Sequence, residues 1–157
     1  MDYLYGIGIA LHTIAAVVWV GGMFFAHVVL RPALMDATPA VRLGLWRRVF
    51  PLFFSRVWLS ILTLLVTGYG VLLTGYRGGV SGGALHVDTM QVTGLTMMAL
   101  YLYLWFVPYR AFKGAMEIDD LPAAAAAQGR IRQVVTINLI LGLFTVFIGA
   151  AGTFIGY

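Results

Sequence analysis

The sequence predicts an all-α fold: an integral membrane, antiparallel four-helix bundle, N-out/C-out, with a short interfacial helix between spans one and two. Three observations predict it. Hydrophobic residues make up 61% of the 157-residue chain and charged residues only 10%, where soluble domains carry about 25% charged residues. Four apolar segments, near 3–30, 52–75, 88–109 and 133–156, each reach the roughly 20 residues that a bilayer-spanning helix needs. Eight of the ten Lys and Arg residues fall between spans one and two or between spans three and four, and a ninth, Arg56, lies about one turn inside span two from the same side. That bias predicts a cytoplasmic side for both basic loops and an outer side for both termini, in a bacterial-type inner membrane. It accounts for the formal net charge of +4 as topology rather than nucleic-acid binding. The four spans make one transmembrane domain, 1–157, with no room for a second. The absence of cysteine excludes disulfides, thiolate metal sites and thiol nucleophiles.

Span one begins with Asp2 rather than a basic stretch and ends in Arg31-Pro32, so it reads as a span and not as a signal peptide. Its stretch "ALHTIAAVVWVGGMFFAHVVLRP" carries two histidines, His12 and His27. Residues 38–50, "TPAVRLGLWRRVF", predict a short interfacial helix, with Thr38 as cap and Pro39 in its first turn. Pro51 is expected to bend the chain into span two. The Gly-rich stretch "GYRGGVSGGALHVD" faces outward. Asp88 is a candidate cap for span three, and Gln91 a candidate interhelical hydrogen-bonding residue. The last helix is expected to start well before the membrane, at "DDLPAAAAAQGRIRQ", behind acidic residues and Pro122. Within it, Asn138 predicts a bond to a neighbouring helix, and Gly149, Gly152 and Gly156 predict close helix contact, within the chain or in a homo-oligomer.

An ionisable residue inside a span is a functional candidate by default, because leaving it unpaired in hydrocarbon is costly. At about 1.5 Å rise and 100° per residue, His12 and His27 lie about 22 Å apart in depth and about 60° apart around the helix. One helix supplying a ligand to each of two haems would need a second helix with its own histidine pair. Only His86 remains, so a two-haem, all-histidine arrangement is excluded by counting. Counted from the cytoplasmic ends of spans one and three, His12 stands about 27 Å up, Met90 about 27 Å and His86 about 33 Å. Met97 shares the face of Met90. The geometry allows a haem held by His12 with His86 or Met90 opposite. It equally allows a Cu(I) site of His12, His86 and Met90, with Met97 on the same face, since soft thioether and imidazole donors suit that ion. Gly8, Ala15 and Ala16 flank His12 and leave room for a flat macrocycle or for a neighbouring helix. His27, one turn from Arg31, reads as an interfacial residue.

Three stretches carry a resemblance: "LHTIAAVVWVGGMFF" followed by "LRPAL", "ALHVDTM" at the start of span three, and "GRIRQVVTINLILG" entering span four. Together they resemble the short four-span form of the copper-resistance protein D (CopD) family, over almost the whole chain. That resemblance implies copper handling at the membrane. The first stretch is also similar to the HemJ-type protoporphyrinogen oxidases, where a helix-one His precedes a Trp by seven residues, as His12 precedes Trp19, and where Gly22 also matches. That family is associated with b-type haem, held by this His and a Lys in a pattern like "LHxK". Here the stretch reads Leu85-His86-Val87-Asp88, so the expected Lys is Asp88. This departure counts against the oxidase activity and removes the expected second ligand. Three functions follow as expectations: haem-b binding near the outer leaflet for electron transfer or small-molecule oxidation, with an unidentified redox partner; copper binding or transport; and a cofactor-free membrane subunit.

Overall fold

A computed structural model describes residues 2–74 and 84–155, and every element among them is helical. The Gly-rich stretch before His86, with Arg77, lies outside the described residues, as does Gly156. α1 (Asp2–Phe24) continues through a π-helical segment (Phe25–Leu30) into the short α2 (Arg31–Ala33). α3 runs from Pro39 to Thr74, α4 from Leu85 to Phe106, α5 from Pro108 to Glu117 and α6 from Leu121 to Ile155. Four stretches are long and apolar enough to cross a membrane: Tyr3–Ala33, Pro39–Leu73, Leu85–Glu117 and Leu121–Gly152.

The separate interfacial helix is corrected. Residues 39–74 form one helix of 36 residues with Pro51 inside it. An internal proline costs a helix about 3 kcal/mol. Here the buried stripe Leu43, Trp46, Phe50, Phe54, Val57 and Ile61 continues straight past it at helical spacing. Breaking the helix at Pro51 would split that stripe, so packing overrides the local preference.

The chain does break at Val107, the residue before Pro108, whose φ of −111° and ψ of −80° leave the helical region. Pro108 disfavours helical backbone in the residue before it. The resulting α5 is a short amphipathic helix that buries Tyr109, Phe112, Ala115 and Met116. A turn with Asp119 at φ 55° leads into α6, where the Asp120 carboxylate accepts from the Ala123 N–H at 2.9 Å as the cap. The core is concentrated at this basic end, where Trp46, Phe50, Phe54, Tyr109 and Phe112 pack on one another and on Ala124, Ala127 and Ile131 of α6.

Further along, α1 packs chiefly on α3 and α4 chiefly on α6. Trp19 and Tyr101 join the two pairs edge to face, at 6.2 Å between ring centres. The predicted Asn138 bond is present: its amide donates to the Met97 carbonyl at 3.1 Å, from a fully buried position. Gln91 instead stays on its own helix and donates to Asp88 at 3.4 Å. Asp88 does not cap α4, whose N-cap is Ala84, with no side-chain cap bond. The outside of the bundle is apolar, with Val66 73% and Phe147 62% exposed. That surface is suited to lipid rather than water.

Candidate functional site

His12 sits on the seam between α1 and α3. Its Nδ1 lies 3.1 Å from the Thr67 hydroxyl. Thr67 donates its own proton to the Thr63 carbonyl at 2.5 Å, so its oxygen is left to accept. With the hydroxyl proton on the Thr63 carbonyl, the contact places the imidazole proton on Nδ1 and leaves the lone pair on Nε2. Gly68 makes this approach possible: a Cβ there would lie 3.0 Å from His12 Cε1 and 3.4 Å from Nδ1. Just above, Gly8 admits Val71, which a Cβ would meet at 3.1 Å. Gly8, one of the small residues flanking His12, thus serves the close approach of α3. Ala15, also buried, Trp19 and Met23 extend the same packed face inward.

His86 and Met90 lie on the other seam, between α4 and α6. Met90 packs into the space left by Gly149, where a Cβ would stand 2.7 Å from its Sδ. His86 packs on Gly152, whose added Cβ would overlap the His86 side chain. Two of the three α6 glycines expected to mediate close contact are thus used within the chain. Between these two contacts and the buried Met97, the Thr145 hydroxyl donates to Thr93 across the seam at 2.7 Å. Met97 is 3% exposed and packs with Val20 against Gly142. Among the described residues, no three His, Asp or Glu side chains gather as a metal-binding group.

His27 is placed apart from these residues. It lies in the π-helical segment, half-buried, with Nδ1 3.4 Å from the Thr136 hydroxyl of α6. Because that segment is not α-helical, the uniform 100° count that set its azimuth against His12 does not hold through it. Pro32 gives a physical reason for the distortion: it has no N–H to return to the preceding turn, and the Arg31 N–H bonds five residues back, to Ala26.

Sequence reasoning passed over Thr67, Thr93, Thr136 and Thr145. Each is a hydroxyl in an apolar span, and that is the signal that could have found them, since such groups bond across helices. Fold and surface together define the class: an integral membrane protein built as a helical bundle. No family model, curated protein or solved structure matches the chain.

Proposed function

We propose that this protein is an antiparallel four-span bundle of a bacterial-type inner membrane, with both termini outside, that binds a b-type haem near the outer leaflet for electron transfer or small-molecule oxidation. His12 would anchor the group, with Met90 or His86 as its second protein ligand. The observation that carries this reading is the contact of His12 Nδ1 with the Thr67 hydroxyl at 3.1 Å. A metal-binding histidine characteristically donates its other ring N–H to a fixed acceptor, which sets the tautomer and holds the ring.

Contacts along the bundle support a shared depth. Val20 meets Gly142 and His27 meets Thr136. Counting outward from these pairs in opposite chain directions brings His12 about level with residues 150–151 of α6. Gly149, against Met90, and Gly152, against His86, bracket that level. The resemblance of the His12 stretch to haem-binding and copper-handling membrane families agrees with this reading, and Asp88 remains its departure from the oxidase pattern. Bound haem would supply one-electron chemistry, tuned by its axial ligands and burial. The chain's own part is to hold the imidazole, present Nε2 and exclude water.

The visible spectrum of the purified protein tests the proposal. A Soret band that appears on reconstitution with haemin and is lost in His12→Ala supports it. No Soret band after reconstitution rejects it.

Copper is the second reading, favoured by the thioether of Met90 and the imidazole of His86 at the depth of His12. Cu(I) titration separates it from haem: binding abolished by combining His12→Ala with His86→Ala supports copper, and no binding rejects it. A protein that takes up neither group, and in which His12→Ala alters only stability, is a cofactor-free subunit.

A further inference from the structure

The basic end of the bundle holds a second site, remote from His12. A cavity of about 40 Å³ is lined by His27 and Arg31 from the first span, by Trp46 of α3, and by Gln128 and Arg132 of α6, over aromatic and aliphatic walls. Three observations point to one ligand chemistry. No carboxylate lines the cavity; its walls are mostly apolar, and the polar residues that border it are Arg31, Arg132, His27, Gln128 and Trp46. Trp46 is 6% exposed, yet its Nε1 has no hydrogen-bond partner among the described residues. A buried indole N–H normally has one. Finally, His27 reaches the cavity from the π-helical segment, a distortion that recurs at functional sites because it re-aims side chains.

We infer that this cavity binds a phosphate group. Guanidinium forks match pairs of phosphate oxygens, and an indole N–H adds a donor that cannot accept. A water occupies roughly 10–15 Å³ of such space, so the cavity has room for the phosphate group itself, with the rest of any larger ligand left outside it. Arg31 and Arg132 are exposed at its rim while Trp46 is buried at its wall, so the phosphate enters from the surface and meets the indole last. The phosphate comes either from an anionic lipid of the adjoining leaflet or from a soluble phosphate compound.

The test uses the full chain in detergent, stripped of lipid. Binding of phosphatidylglycerol and phosphatidylcholine is measured by native mass spectrometry, and inorganic phosphate by titration against thermal unfolding. The site variant combines Arg31→Gln with Arg132→Gln. The control variant, Arg48→Gln with Arg130→Gln, removes the same charge from exposed positions outside the cavity. Preference for phosphatidylglycerol that falls at least about tenfold in the site variant alone supports a lipid phosphate. Stabilisation by inorganic phosphate with the same dependence on the variants, and no lipid preference, supports a soluble one. Trp46→Phe keeps the aromatic wall and removes only the N–H, so it should weaken whichever ligand binds by about three- to tenfold. This arm holds even if the double variant does not fold. Equal effects of site and control variants, or binding unchanged in Trp46→Phe, overturn the inference.

Discussion

His12 and Thr67 face each other across the seam of α1 and α3, with imidazole Nδ1 and hydroxyl oxygen 3.1 Å apart. The relationship ties the ring to α3, where the same hydroxyl also bonds the Thr63 carbonyl at 2.5 Å.

Thr67→Val keeps the side-chain volume and removes the acceptor. An interhelical hydrogen bond within a membrane bundle contributes on average about 0.6 kcal/mol, so stability should fall only slightly. Loss of an outer-shell partner, in contrast, typically costs about 10- to 100-fold in metal or cofactor affinity. Haemin titration of Thr67→Val should therefore show weakening far beyond the stability change, and Thr67→Ser should restore wild-type affinity. Equal affinity in Thr67→Val would remove the bond from the site.

The α6 glycines should separate by what they face. A Cβ at Gly142 would meet Val20 at 2.8 Å and Met97 at 3.1 Å, and one at Gly149 would meet Met90 Sδ at 2.7 Å. Gly142→Ala and Gly149→Ala should both lower the unfolding temperature in detergent, and Gly142 more, because branched Val20 can yield less than a flexible methionine. Gly129 has nothing within 4 Å of an added Cβ. Gly129→Ala should raise stability by about 0.5–1 kcal/mol through helix propensity.

Tyr101 is 2% exposed and donates its hydroxyl to the Phe54 carbonyl at 2.9 Å. Tyr101→Phe retains the ring contacts with Trp19, Phe54 and Trp58 and deletes only that bond. A loss of about 0.5–1.5 kcal/mol is expected from denaturant unfolding in detergent, with the helical circular dichroism unchanged.

Pro51 is exposed and lies inside a continuous helix. Pro51→Ala should stabilise the protein, because it returns an N–H to the helix and relieves the clash with the preceding turn. Thermal unfolding that starts at a lower temperature in Pro51→Ala would show that the proline carries a packing role of its own.

The apolar spans were legible because the bilayer sets a length that a run of apolar residues either reaches or does not. The start of α6 was legible too, since Asp120 and Pro122 act through their own backbone neighbours. Asn138 could be read as a bonded residue from its cost in hydrocarbon, though not its partner at Met97. The helix pairing was not legible. An apolar helix that faces lipid on one side and protein on the other shows little hydrophobic periodicity, so composition does not mark which face turns inward. Pro51 shows the same limit: its local preference is plain in the sequence, while the aromatic stripe that overrides it acquires partners only once α5 and α6 fold against it.

The sequence by itself determined four membrane-length apolar helices, the segregation of basic residues to one end, and the identity of the few titratable groups inside the spans. The tertiary structure alone decided that His12 turns to Thr67 and Gly68, that Met90 and His86 fill the notches of Gly149 and Gly152, and that Arg31, Trp46 and Arg132 from three distant segments line one cavity. The division follows from the physics. Partition into a bilayer depends on side-chain type summed along a segment, whereas a site depends on which faces meet. Those faces are chosen by close packing between helices that the sequence separates by tens of residues.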